Sequence, residues 1–159
     1  MFFKKIEIID DFLFPEICDY LINYYENNIF RTNTHTVNNG KSINIDITKI
    51  QEFDSLINKL NNHVYTQECQ IDWIQIVKWE DGCSQDLHLD TASDKTVYSS
   101  IVYLNHNYEG GQTFFEEGLV ITPLKGRALF FNGIYYKHGV MPVEKGPRYV
   151  LATWYKKNN

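Results

Sequence analysis

The sequence predicts an α+β, mainly β fold in which two N-terminal helices pack on one face of a β jelly roll. Three observations predict it. Up to about residue 66 the chain carries two segments with helical apolar spacing. From about residue 69 it becomes a train of short apolar, β-branched and aromatic runs, separated by Gly, Pro, Asn and Asp. With 159 residues, 43% of them apolar, it is long enough for one well-cored domain. Residues 1–159 are therefore read as a single domain with its jelly-roll core over about 69–156.

Residues 2–9 (FFKKIEII) predict a first strand, broken by Asp10-Asp11. From Phe14-Pro15-Glu16 onward, Ile17, Leu21, Ile22 and Tyr25 share a helical face, and Pro15 with nearby acids suits the opening turn. Asn27-Asn28 ends that helix. Residues 31–46 (RTNTHTVNNGKSINID) are polar and turn-rich around Asn38-Asn39-Gly40. They predict a long loop of the functional or mobile kind, a candidate lid. A second amphipathic helix is expected over 51–66, with Phe53, Leu56, Ile57, Leu60 and Val64 on one face.

The strands follow. QIDWIQIVKW runs to the turn Glu80-Asp81-Gly82, and TVYSSIVYL, QTFF, LVIT, RALFF, KHGVMPV and RYVLATWY come after it. Gly110-Gly111 fits a tight turn in which a side chain would clash, and Gly126 and Gly133 read as turn glycines. None sits in the strand–Gly–helix context of a phosphate loop. There is no internal repeat, low-complexity tract or linker.

A formal charge of −5 argues against a nucleic-acid partner, which usually meets a basic face. No apolar run approaches the length that spans a bilayer. The N-terminal MFFKKIEIIDDF carries charges within its apolar stretch and no cleavage pattern, so no signal peptide is expected. Cys18, Cys69 and Cys83 are odd in number and form no CxxC, which disfavours a disulfide framework or zinc site. Reduced thiols in the cytoplasm are the expectation.

The chemistry concentrates in His88-Leu89-Asp90 and in His138, 48 residues after Asp90. On a strand, residues i and i+2 face the same way, so His88 and Asp90 can aim inward together while Leu89 points away. His138 opens an apolar stretch and fits a neighbouring strand. Two imidazoles and one carboxylate form the three-ligand face that binds Fe(II) and leaves further positions open. Each imidazole must be neutral, so its other N–H needs an acceptor. An HxD triplet alone would as readily be a solvated loop, and His138 alone a satisfied core histidine. Their combination with the segments between them carries the reading.

Those segments resemble the Fe(II)/2-oxoglutarate-dependent dioxygenases, in the prolyl 4-hydroxylase-like branch. The matching pieces after Trp79 and His88-Leu89-Asp90 are Tyr103-Leu104-Asn105 and Gly110-Gly111-Gln112-Thr113-Phe114-Phe115. Next come Pro123-Leu124-Lys125-Gly126-Arg127-Ala128-Leu129-Phe130-Phe131, His138-Gly139-Val140-Met141-Pro142-Val143 and Gly146-Pro147-Arg148-Tyr149. The resemblance is strong over about half the chain, Trp79 to Tyr155. The N-terminal half matches only in its strand–helix–helix plan.

The resemblance implies a double-stranded β-helix, Fe(II) held by His88, Asp90 and His138, and 2-oxoglutarate as co-substrate. Arg148 stands where the family places the cation for the far carboxylate, and its planar fork suits that role. Tyr103 matches a tyrosine that donates to 2-oxoglutarate, with Thr113 beside it. Val140 would be a wall, and Trp154 a lining aromatic. Tyr103 and Trp154 also read as plain core residues of their strands. At Trp79 the family usually has tyrosine, so this chain lacks one phenolic hydrogen bond.

The implied reaction uses O2 to hydroxylate an unactivated C–H, releasing succinate and CO2, with ascorbate as a supporting reductant. A prolyl residue in a peptide or protein is the first expectation for the substrate. A free amino acid or other small molecule is the alternative. Arg127, Tyr98, Asp86, Tyr135 and Tyr136 are candidates for the mouth. A non-catalytic jelly-roll binding module, a cupin-type isomerase and a nucleic-acid demethylase are the rival readings. The dicarboxylate clamp speaks against the isomerase and the negative charge against the demethylase.

Overall fold

Two antiparallel sheets face each other across a cavity, and two helices back the larger sheet. The computed structural model describes residues 5–159. β1 (Glu7–Ile9) leads to α1 (Pro15–Asn27), then β2 (Asn33–Thr36), β3 (Lys41–Asp46) and α2 (Asp54–His63). β4 (Cys69–Trp79), β5 (Gln85–His88), β6 (Thr96–Tyr103), β7 (Glu109–Gly110) and β8 (Thr113–Phe115) follow. The chain closes with β9 (Val120–Ile121), β10 (Ala128–Phe131), β11 (His138–Val140), β12 (Val143–Glu144) and β13 (Arg148–Lys157). Among the described residues the major sheet has the order β1-β10-β6-β13-β4-β3-β2, and the minor sheet β5-β11-β8-β9. β12 and β7 pair separately. This is the jelly roll with helices on one face.

α1 begins where the sequence places it. Phe14 is extended, as the residue before a proline prefers, and Pro15 takes the first turn, where its missing N–H costs nothing. Cys18, Leu21 and Tyr25 recur at helical spacing and are buried. The second helix is α-helical only over Asp54–His63, with 3-10 turns at Gln51–Phe53 and Tyr65–Gln67. Its Phe53, Leu60 and Val64 pack with Leu21 and Tyr25 against Ile74, Ile76 and Leu151 of the major sheet. Truncating the fully buried Leu60 to alanine would cost about 2–5 kcal/mol.

β4 and β13 sort their residues by parity. Ile74, Ile76, Tyr149 and Leu151 face the helices, while Val77, Trp79, Val150 and Ala152 face the inner cluster with Tyr103, Phe115 and Phe131. Arg148 pairs with Trp79, and Trp154 with Trp73, across these two strands.

Three expectations need correction. Residues 31–46 are a β-hairpin, not a loop: β2 pairs with β3 from Asn33↔Asn44 to Thr36↔Lys41, and β3 pairs with β4. Polarity misleads there because β2 is an exposed edge strand, and the buried Ser42 and Asn44 of β3 line the cavity. KHGVMPV is two strands in different sheets, because Pro142 has no N–H to carry one ladder through. The first strand spans Glu7–Ile9, and the rest of the expected 2–9 run includes Met1–Lys4, which lie outside the described residues.

The expected tight turn is present. Gly110 and Gly111 have φ of 67° and 63°, and a Cβ on Gly110 would lie 2.0 Å from the Pro142 carbonyl oxygen. The three cysteines are free and buried. Burial pushes the thiols of Cys18 and Cys69 up to about 11, which leaves them protonated and unreactive. Among the described residues no helix is long and apolar enough to cross a membrane.

Candidate metal centre

β5 ends on His88, Asp90 lies two residues on, and β11 opens with His138, the direct register partner of His88. The jelly roll thus brings together residues 50 apart in sequence. The Oδ1 of Asp90 lies 3.7 Å from His88 Nε2 and 3.4 Å from His138 Nε2. One donor atom from each residue falls within 4.8 Å of the others, the spread of ligands around one ion.

The surroundings set the state of each donor. His88 Nδ1 is 2.9 Å from the Asp86 carbonyl oxygen, and His138 Nδ1 is 2.9 Å from that of Tyr136. A carbonyl only accepts, so both Nδ1 atoms carry the proton and both Nε2 lone pairs point to the centre. Burial, then the neighbouring His138, pulls the pKa of His88 below its ordinary value and favours the neutral ring. For Asp90, burial opposes the charge, but the adjacent His138, the Ser99 hydroxyl that donates to it and the nearby His88 outweigh it. The carboxyl is held below the usual range. Ser99 Oγ donates to Asp90 Oδ2 at 2.5 Å. Two neutral imidazoles and one carboxylate fit Fe(II), with an open side toward the cavity.

That cavity measures about 470 Å³. Arg148 lines it at 1% exposure. Its Nε donates to the Gly111 carbonyl at 2.9 Å and its Nη2 to Thr113 Oγ1 at 3.3 Å. The guanidinium carbon lies 5.4 Å from the ring centroids of both Trp79 and Tyr103. Among the described residues no carboxylate forms an ion pair with it. A buried charge without a counter-ion is costly, so this end of the cavity is built for an anion.

Trp79 and Val140 line the cavity at 6% exposure each, and Trp154 lines it too. The Trp79 Nε1 is buried with no hydrogen-bond partner among the described residues. Tyr103 and Thr113 are fully buried, and their hydroxyl oxygens lie 2.6 Å apart. Neither is among the residues lining the cavity; they brace Arg148 from behind.

The mouth candidates fare differently. Arg127 is committed to Asp10 and the Thr122 carbonyl, and Tyr98 packs on the helix side against Tyr155. Asp86, Tyr135 and Tyr136 do not line the cavity, although two of their carbonyls orient the histidines. The cavity is lined instead by residues not among these candidates, including His35, Asn44, Trp73, Gln75 and Gln85. Trp73 and Gln75 share a face with Trp79 by simple alternation, a signal present in the sequence. His35 and Asn44 were hidden by reading the hairpin as a loop. Gly133 was read as a turn residue. In the structure a Cβ there would lie 2.4 Å from Asp90 Oδ2, so its smallness makes room for the Asp90 carboxylate.

Comparison with known proteins gives a consistent picture. The family model described as the 2OG-Fe(II) oxygenase superfamily matches residues 74–156, just over half the chain. Human prolyl 3-hydroxylase 3 is 38% identical over 65 residues, which cover 36% of this chain and 9% of that protein. Prolyl 4-hydroxylase 2 of Arabidopsis thaliana is 23% identical, over 92% of this chain and 65% of its own length. The chain therefore spans less than two thirds of these relatives. The viral collagen prolyl hydroxylase of Paramecium bursaria Chlorella virus-1, solved as a 2OG complex, aligns with a TM-score of 0.78 at 22% identity. That alignment covers 99% of this chain and 98% of the viral one, and speaks to the fold.

Proposed function

The chain belongs to the 2OG-Fe(II) oxygenase superfamily, and we propose that it is an Fe(II)- and 2-oxoglutarate-dependent dioxygenase that hydroxylates a prolyl residue within a peptide or protein. The observation that carries the reading is Arg148: a buried guanidinium without an internal counter-ion, in the same cavity as the His88, Asp90 and His138 cluster. A dicarboxylate co-substrate supplies the missing charge at one end and metal ligands at the other.

Iron, when bound, supplies the O2 chemistry that couples decarboxylation of 2-oxoglutarate to succinate and CO2 with hydroxylation of a C–H bond. His88, Asp90 and His138 would hold it. The Asp86 and Tyr136 carbonyls keep the Nδ1 protons in place, so both imidazoles stay neutral and aimed. Ser99 fixes the Asp90 carboxylate by holding the oxygen nearest Gly133. Arg148 receives the far carboxylate, oriented by the Gly111 carbonyl and by the Thr113 and Tyr103 pair behind it. Val140 and Phe131 keep water from the cavity wall beside His138. Ascorbate is the proposed supporting reductant, which would raise the number of turnovers before inactivation.

The charge of the cavity supports a peptide over a free amino acid. Among the described lining residues, Asp90 and Arg148 are the only acid and base apart from histidines, and on this reading metal and co-substrate would take both. A free amino acid would bring an ammonium and a carboxylate with no charged partners among these side chains, and burying an unpaired charge is costly. A residue inside a peptide brings neutral amides. The relatives named as prolyl hydroxylases point the same way.

The test is product analysis over a panel of proline-containing peptides and free amino acids with Fe(II), 2-oxoglutarate and O2. O2-dependent succinate, with one oxygen atom added to a peptide proline, supports the reading. Succinate formation stimulated only by a free amino acid replaces it with the small-molecule alternative.

A further inference from the structure

The cavity has a second end. Along β4 the line of inward residues runs from Trp79, beside Arg148, through Val77 and Gln75 to Trp73. That is six residues, about 20 Å of strand. The co-substrate carboxylate belongs at the Trp79 end, because the buried guanidinium is there. At the other end Trp73 pairs with Trp154 of β13, and their rings stack with centroids 4.8 Å apart and planes 16° from parallel. Both rings line the cavity and both are half-buried, unlike the indole of Trp79.

We infer that the stacked indoles of Trp73 and Trp154 are the platform on which the substrate segment lies as it reaches the metal centre, an inference that rests on the peptide-hydroxylase reading above. Three observations commit the platform to an uncharged, extended peptide. The stacked indoles bring a large apolar ring surface to the cavity, which suits C–H-rich rings and aliphatic segments. The neighbouring groups His35, Asn44, Gln75 and Gln85 include no carboxylate, ammonium or guanidinium, and their ring and amide donors and acceptors match backbone amides. The hairpin that carries His35 and Asn44 is tied down. Asn39 and Ser84 exchange backbone hydrogen bonds at 3.2 and 3.0 Å, and Asn38 Oδ1 accepts from the Asp86 amide at 2.7 Å. The platform and its hydrogen-bonding wall are therefore formed before the substrate arrives, so little ordering cost is left to binding.

The experiment compares the wild-type chain with Trp73→Ala and Trp73→Phe. The probes are an N-acetylated, C-amidated proline-rich decapeptide and free L-proline. Loss of the aromatic contact should raise KM for the capped peptide about 5- to 10-fold, from ~1 kcal/mol or slightly more of aromatic contact. The rise in KM should exceed any fall in kcat, Trp73→Phe should recover most of it, and free proline should be a poor substrate. The rise in melting temperature on adding Mn(II) and 2-oxoglutarate should persist in both variants, which excludes a folding defect. An unchanged KM in Trp73→Ala, or free proline used as well as the peptide, overturns the platform. Wild-type protein that binds Mn(II) and 2-oxoglutarate but turns over no peptide overturns the peptide reading, and the platform with it. Wild-type protein that binds neither overturns the enzyme reading itself.

Discussion

Gly133 shows how much a single absent side chain does near the candidate metal centre. A methyl group there would sit 2.2 Å from Ser99 Oγ and 2.4 Å from Asp90 Oδ2, so one of them must move. Gly133→Ala should therefore weaken Mn(II) binding by about 10-fold or more, as disturbed ligand support commonly does. Titration with Mn(II) reads this, and an unchanged affinity would contradict the proposed role of Ser99 in holding Asp90. Arg148→Ala should leave Mn(II) binding nearly intact but weaken 2-oxoglutarate about 30-fold or more, since truncating one partner of a buried charge pair costs ~2 kcal/mol upward. Calorimetric titration of the Mn(II)-loaded protein checks it. Trp79→Phe removes an indole N–H that has no internal partner and should also weaken 2-oxoglutarate, while Trp79→Tyr, which keeps a donor, should weaken it less. The cluster of His88, Asp90 and His138 was legible in the sequence because His88 and Asp90 stand at strand spacing and His138 opens a strand. Ser99 and Gly133 were not, because a serine in an apolar strand and a glycine after Phe131-Asn132 carry no sign of what they will touch.

The elements differ in how plainly they announce themselves. α1 is legible from Pro15 and from the spacing of Cys18, Leu21 and Tyr25. β4 and β13 are legible because their length and apolar content exceed what a loop tolerates. The hairpin of β2 and β3 was misread for a physical reason: strand patterning assumes an apolar inner face, and here β3 turns Ser42 and Asn44 to the cavity. Its tip bridges the two sheets, since Asn38 and Asn39 bind the segment that leads into β5 and His88. Asn38→Ala should cost about 1 kcal/mol of stability. It should also speed hydrogen exchange at residues 84–88 more than in β4. Equal protection of 84–88 in variant and wild type would show that the tip does not hold β5.

At the scale of the whole molecule, the fold turns a sequence separation into a contact. β5 and β11 are neighbours in the minor sheet only because the chain winds through both sheets between them, and their register sets His88 opposite His138. The helices back the major sheet's outer face, and its inner face is left to Arg148, the tryptophans and the cavity. Metal and co-substrate bind the folded state alone, so together they should stabilise it; a ligand at 100 times its Kd adds about 2.7 kcal/mol. That plan was readable because the strand run and the order of His88, Asp90 and His138 point to one jelly roll, whereas the proposed substrate end depends on side chains from five strands, β2, β3, β4, β5 and β13. The central claim, that His88, Asp90 and His138 serve a 2-oxoglutarate-dependent hydroxylation, is tested most directly by following succinate from 2-oxoglutarate with Fe(II), O2 and a capped proline peptide. The comparison is between wild-type protein and His138→Ala, both shown folded by circular dichroism. Succinate and an oxygenated peptide with the wild type, and neither with His138→Ala, is the expected result; equal turnover by the two proteins would contradict the account.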